Sequence, residues 1–346
     1  LRGAVLAFAF LATALWSTMA VAFVDDALLQ AAKNGDLAMV KELVAKGVDI
    51  NAAENEGYTA LMVSSAFGHK SVAEFLLAKG AKIGARSSHG HTALILAARF
   101  GRAAVVEMLL AKGGDINERN DKGQTPLIAA SWEQESKGDN RAVVQLLLRK
   151  GADVNAKTNR GSTAWMYANG EVFDLLVTAK NADLNAKHVE TEATMLVNAA
   201  LFGKKATLEY LVAKGLDVNA KDKNGITALD NAALNGDKEV VIYLLSKMAD
   251  TKRLGINALF IASLAGRTGA VAAIIAHGVD VNEKNSRGQT ALMVAARDGE
   301  SEVVKLLIAK GADVNAKSLD DATALSMAIK EGQKNTADLL RQAGAK

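Results

Sequence analysis

Two histidines one residue apart, His89 and His91, and four aspartates in one register, Asp153, Asp217, Asp280 and Asp313, have the side-chain types for chemistry. Paired imidazoles can ligate a transition metal, and neighbouring carboxylates can hold cations or share a proton. Neither set has the company such chemistry needs. His89 and His91 lack a carboxylate or third ligand at metal-binding spacing, so they read as solvated turn residues. Each aspartate occupies the same G-x-D phrase, where a carboxylate bonds its own backbone in a turn, and the ladder therefore reads as turn chemistry. The chain shows no Gly-x-Ser-x-Gly elbow, phosphate loop, dinucleotide fingerprint or His-Glu-x-x-His. Cysteine is absent, which excludes disulfides, zinc–thiolate sites and thiol catalysis. A site around Glu133 or Glu135 is the one enzymatic reading left; a non-enzymatic protein with no cofactor and no metal is expected.

The 346 residues are half apolar, yet aromatics are only 5%, so the core must be built from closely packed small aliphatic side chains. Net charge is +3 with no block of like charges, which argues against a nucleic-acid partner. Gly3 to Val24 carries no charge, Arg2 precedes the apolar run "AVLAFAFLATALW", and "AVA" at Ala20 to Ala22 has the small residues of a cleavage site. Residues 1–22 read as a signal peptide cut after Ala22, leaving residues 23–346 periplasmic or secreted. The competing reading is an uncleaved membrane anchor, since the stretch has about the ~20 residues that span a bilayer; either way the remainder faces outside the cytoplasm.

What must position any functional side chain is a phrase repeated every 33 residues, as at Gly57, Gly90 and Gly123. It reads "GYTAL" at Gly57, "GHTAL" at Gly90, "GQTPL" at Gly123, "GITAL" at Gly225, "GINAL" at Gly255 and "GQTAL" at Gly288, with variants at Gly161, Glu192 and Asp321. Thr92 is placed to cap a helix, and the only proline, Pro126, falls at a first helical position, where its missing N–H costs nothing. Leu94, Ala97 and Ala98 share one face of that helix, and Gly101 ends it. A second helix carries Val105, Val106, Leu109 and Leu110 at three- and four-residue spacing and closes at Lys112-Gly113. An Asp-, Asn- and Gly-rich turn leads to the next phrase.

Helix, turn, helix and projecting turn, with T-A-L and G-A-D-V-N-A, resemble the ankyrin repeat over about 320 residues. The resemblance implies an all-α solenoid with projecting β-hairpins or turns, in ten repeats beginning near Asp25, Gly57, Gly90, Gly123, Gly161, Thr191, Gly225, Gly255, Gly288 and Asp321. The family's usual His after T-P-L is replaced by Met62, Ile95, Ile128 and Met293, so one hydrogen bond of the family is expected to be missing. Repeat four carries about five extra residues in "EQESKGDN", repeat five is about four residues short in the same turn, and the turn of repeat seven is clipped at "KMADTKRLG". The long turn is expected to fold over its shortened neighbour, or to be a solvated loop.

By resemblance, partners bind at the projecting turns and at the two residues after the Ala pair of each first helix. Those positions hold Phe67, Arg99, Phe100, Trp132, Leu201, Phe202, Leu234 and Leu264, with Lys33, Arg297-Asp298 and Lys330-Glu331 placing charge at the ends; Tyr58 and His91 are the turn contacts. Aromatic anchors beside arginine have the composition of a binding surface. The expected function is a protein–protein interaction scaffold with a membrane partner only if residues 1–22 are retained. The alternatives are a receptor for an extended glycan or lipid, or side chains that simply fold back into the core.

Overall fold

The computed structural model describes residues 26–132, 138–201, 205–248 and 250–346. Residues 1–22, expected to be a signal peptide, Phe202 and the body of the repeat-four insertion lie outside the described residues. The chain divides into two compact units, one ending at Ala182 and one beginning at Asp183.

In the first unit the helices run α1 (26–34), α2 (Leu37–Ala45), α3 (Ala60–Phe67), α4 (Lys70–Ala78), α5 (Ala93–Arg99), α6 (Ala103–Ala111), α7 (Pro126–Ala130), α8 (Asn140–Arg149) and α9 (Gly170–Val177). In the second they run α10 (Met195–Leu201), α11 (Lys205–Ala213), α12 (Ala228–Asn235), α13 (Lys238–Lys247), α14 (Thr251–Leu254), α15 (Ile256–Leu264), α16 (Thr268–Ala276), α17 (Ala291–Asp298), α18 (Ser301–Ala309), α19 (Ala324–Lys330) and α20 (Lys334–Gln342). First helices pack on first helices, α3 on α5 on α7 and α10 on α12 on α15 on α17 on α19. Second helices form the other layer, α2 on α4 on α6 on α8 and α11 on α13 on α16 on α18 on α20.

The expected caps are present. Thr59, Thr92, Thr125, Thr227, Thr290 and Thr323 each accept from the backbone N–H three residues on, and Pro126 opens α7. Ala97, Ala98, Val106 and Leu109 are fully buried, so neighbouring first helices approach across alanine while the second layer supplies branched side chains. Leu110 is only half-buried; Met108 takes its place in the core.

Two kinds of tie join neighbouring repeats. The residue after the glycine that precedes the second helix caps that helix at Asp36, Asp139 and Asp237, and at other repeats it reaches back to the preceding one. His69 Nε2 donates to the Lys33 carbonyl (2.8 Å), Arg102 Nε to that of Ala66 (2.9 Å) and Arg267 Nε to that of Leu234 (2.9 Å), covering carbonyls that a helix end leaves unpaired. The asparagine of G-A-D-V-N is the second tie: Asn282 Oδ1 accepts from Asp313 N (2.8 Å) and Asn315 Oδ1 from Lys346 N (2.9 Å).

The projecting turns are tight loops. Among the described residues the β-structure is a single isolated bridge, Ala53 to Thr59, so hairpins of paired strands are not formed. Backbone bonds link successive turns instead, from Ser88 N to Glu56 O, Asp121 N to His89 O and Asn159 N to Lys122 O. In repeat seven the clipped turn is replaced by α14, capped by Asp250, which runs into α15 at Ile256; Asn257, in the threonine position of "GINAL", caps nothing. Repeat five keeps one 3₁₀ turn, Ala164–Met166, as its first helix. Its lost volume is filled by its own side chains: Trp165 and Phe173 are buried and meet edge to face at 6.3 Å.

Candidate protein-binding face

Each functional candidate stands at the C-terminal end of a first helix or on the turn that precedes it, and the inter-repeat ties fix these ends side by side. In the first unit His69 and Arg102 hold the ends of α1 and α3 against the repeats that follow. In the second, Asn235 Nδ2 donates to the Ala200 carbonyl (3.1 Å) and to that of Leu201, and Arg267 does the same for Leu234. Each unit therefore carries its own row.

The rows do not fold into the core. Phe67 is 48% exposed, Trp132 39%, Leu201 41%, Leu234 44% and Leu264 41%, whereas Leu61, Leu127, Leu196, Leu229 and Leu259, near the starts of the helices that lead to them, are buried. Arg99, Phe100, Tyr58 and His91 are half-buried. The two rows differ in chemistry. In the first, Lys33 Nζ sits 5.7 Å from the Phe67 ring centroid, the Arg99 guanidinium 5.8 Å from that of Phe100, and the His69 ring lies parallel to Phe67 at 6.4 Å. Lys33 thus belongs with the aromatics instead of marking a charged end. Trp132 stacks on Tyr167 at 5.4 Å with 16° between planes, which adds the distorted fifth repeat to the row. Among the described residues the row of the second unit is aliphatic, and Arg297 Nε bonds Asp298 Oδ1 at 2.7 Å. Ile329, 53% exposed on α19, extends it, a residue that the positions after the Ala pair did not include.

The residues first considered for chemistry resolve as follows. His89 and His91 meet edge to face at 6.5 Å, with Asn120 Nδ2 3.4 Å from His91 Nδ1. Burial lowers the His91 pKa, and Arg99, His89 and Lys122 lower it further against the opposing charge of Asp121. Among the described residues no group of three His, Asp or Glu could hold a metal ion. Asp153, Asp217, Asp280 and Asp313 each accept from the backbone N–H two residues on (2.9 Å), so they are turn formers. Two perturbed carboxylates escaped the sequence reading. Glu118 accepts from the Thr92 hydroxyl, and burial pushes its pKa from 4.5 to about 7. Asp230 is 2% exposed in the column that elsewhere holds Met62, Ile95 and Met293. Its Oδ2 accepts from Thr227 N and Oγ1 (2.8 Å each), and burial raises its pKa. The signal for Asp230 was a carboxylate in a column of apolar residues; the Glu118 column also holds the exposed Glu283, so residue type did not mark Glu118. Among the described residues no helix is long and apolar enough to cross a membrane.

A search of curated proteins finds no match. A family model described as ankyrin repeats (3 copies) matches residues 18–87, 83–158, 105–188, 162–255, 196–285 and 259–346, which together run over nearly the whole chain. Ankyrin repeats generally mediate protein–protein interaction and are typically non-enzymatic scaffolds. The threonine-capped first helices, the stacked second helices, the asparagine ties and that match lead to one statement of kinship: the chain belongs to the ankyrin repeat family.

Proposed function

We propose that the protein is a non-enzymatic scaffold that binds a partner protein on its exposed first-helix rows and projecting turns, and that it works in the periplasm after losing residues 1–22. The exposure of Trp132, Leu201, Leu234 and Leu264 at one register position, with Phe67 one residue further along its repeat, carries this reading. Large apolar side chains in water at the same position of successive repeats are favourable only when something covers them. An ordinary interface needs roughly 800 Å² per side, about 20–30 residues, which such a row with its turns can supply. The glycan or lipid reading is weaker, because Trp132 and Tyr167 turn ring faces on each other and so offer fewer faces to a sugar. Export rests on Arg2, the uncharged run from Gly3 to Val24 and the "AVA" at Ala20 to Ala22.

Capture of a partner from an envelope extract, its identification by mass spectrometry and reconstitution with the purified partner test the binding reading. The Phe67→Ala/Trp132→Ala variant is expected to bind at least tenfold more weakly; equal binding by variant and parent would remove the row from the interface. The intact mass of protein recovered from the envelope is expected to match a chain starting at Phe23.

A further inference from the structure

Glu118 fills a space between two projecting turns, and one repeat later the matching space is open. The run Asp115, Ile116, Asn117, Glu118, Arg119 aligns with Asp153, Val154, Asn155, Ala156, Lys157, so an alanine methyl stands where the glutamate stood. Three groups act on the Glu118 carboxylate: the Thr92 hydroxyl donates to Oε1, Arg86 of the preceding turn favours its charge, and Asp115 of its own turn opposes it. Their counterparts one repeat on are Thr125, Arg119 and Asp153. All three line, with Ala156 and Lys157, an open hollow of about 510 Å³.

What this hollow lacks, relative to its neighbour, is the carboxylate. Thr125 accepts from Ile128 N at 3.3 Å, as Thr92 does from Ile95 N, yet among the described residues its hydroxyl proton meets no acceptor, and the residue is only 2% exposed. A buried hydroxyl retains that capacity to donate. Arg119 Nη2 donates to the Lys157 carbonyl at 2.7 Å, which fixes the guanidinium between the two turns. Among the described residues no carboxylate forms an ion pair with Arg119 or with the Lys157 ammonium. The acid of the lining, Asp153, turns Oδ1 to Asn155 N at 2.9 Å. Two cations against one aspartate favour an anion, and a carboxylate bonded by a hydroxyl beside Arg and Lys makes the stronger, charge-assisted kind of hydrogen bond. Burial is the chief cost to Glu118 in its own space. An incoming carboxylate in an open hollow keeps water on one side and loses less.

We propose that this hollow is a subsite for a glutamate side chain of the partner, which takes toward Thr125, Arg119 and Lys157 the place that Glu118 takes toward Thr92 and Arg86. The assignment rests on the reading of the projecting turns as part of the protein-binding surface, and it adds to that reading one residue type and one place for it.

Backbone amide shifts of the deuterated full chain, followed by NMR, read the subsite directly. Acetyl-Gly-Glu-Gly-amide is expected to move the Asn117, Arg119, Lys157 and Thr158 amides saturably, with a Kd of about 10 mM or below. The Gln counterpart is expected to bind at least tenfold more weakly. Ala156→Glu should fill the hollow from within and abolish the response, and Lys157→Gln should weaken it at least threefold, both with unchanged circular dichroism. If Ala156→Glu fails to fold, Lys157→Gln carries the test. No response to the Glu peptide, equal binding of the Gln peptide, or an undiminished response in the variants would overturn the proposal. Glutarate binding tenfold tighter than the Glu peptide would assign the hollow to a free small acid, and tighter binding of inorganic phosphate would assign it to another anion; either removes the partner's glutamate. The reconstituted partner separates the subsite from the broader reading. A partner lost on Phe67→Ala/Trp132→Ala but bound equally by Ala156→Glu leaves the face standing and removes the subsite, whereas a partner kept by both variants removes both.

Discussion

Glu118 shows how one buried carboxylate reports on the contact between two repeats. The Thr92 hydroxyl that caps α5 accepts from Ile95 N (3.2 Å) and donates to Glu118 Oε1, so the cap of one repeat is tied to the turn leading into the next. Burial is the chief reason the carboxyl sits near 7, with Asp115 adding to the rise and the Thr92 bond and Arg86 opposing it. A group whose proton is held more tightly in the folded state stabilises most below its unfolded value of 4.5 and loses that contribution as pH rises through about 7. His91 works in the opposite sense: its lowered pKa costs stability as pH falls below 6.5. Replacing Glu118 by Gln isolates the first effect. The variant is expected to gain on the parent by on the order of 1 kcal/mol more at pH 8 than at pH 5, after discounting for partial exposure. Urea midpoints at the two pH values measure it, and an offset equal at both would sink the buried-carboxylate account. The column was visible in the sequence, where Ala85, Ala156, Ala186 and Ala220 occupy it, but it also holds Glu283, which is exposed. Burial of a long acidic side chain there depends on a neighbour 26 residues away, which local pattern does not reveal.

At the scale of the repeat, helices were legible because each carries its own instructions: Thr92 as cap, Gly101 as terminator, Val106 and Leu109 at helical spacing. The ties between repeats were not, since nothing in the type of Arg102 says that it will bond a carbonyl 36 residues earlier while Asp237 caps its own helix. The asparagine tie offers a matched comparison. Asn282 bridges to the next repeat through Oδ1 on Asp313 N and through Nδ2 on Gly311 O (3.2 Å). Asn219 occupies the same place before the clipped turn that α14 replaces, and its Oδ1 is buried without a hydrogen-bond partner. Asn282→Ala is therefore expected to cost about 1 kcal/mol, and Asn219→Ala to be neutral or slightly stabilising, since removing an unsatisfied buried acceptor relieves a penalty. Chemical denaturation of the two single variants gives the comparison. Equal costs would mean that the ties contribute nothing to stacking.

For the whole molecule the relevant quantity is how far folding in one repeat supports folding in the next. Stacked repeats gain stability from nearest-neighbour contact, so coupling is weakest where a repeat presents least helix. Repeat five, at the end of the first unit, has only the 3₁₀ turn Ala164–Met166 in place of a first helix beside α9, and its Thr163 makes no side-chain cap. Among the described residues both tryptophans, Trp132 and Trp165, lie in the first unit, so with Trp16 replaced by Phe indole fluorescence reports that unit alone while circular dichroism reports helices throughout. Urea unfolding followed by the two probes is expected to give non-coincident curves. Ile274→Ala, which empties a fully buried position of the second unit and costs about 2–5 kcal/mol, should lower the dichroism midpoint while leaving the fluorescence midpoint in place. Leu109→Ala, equally buried in the first unit, should move the fluorescence curve. Coincident curves that shift together in both variants would show instead that the buried Trp165 and Phe173 restore through packing the cooperativity that the shortened helix gave up, because a filled core transmits stability as well as a complete helix does.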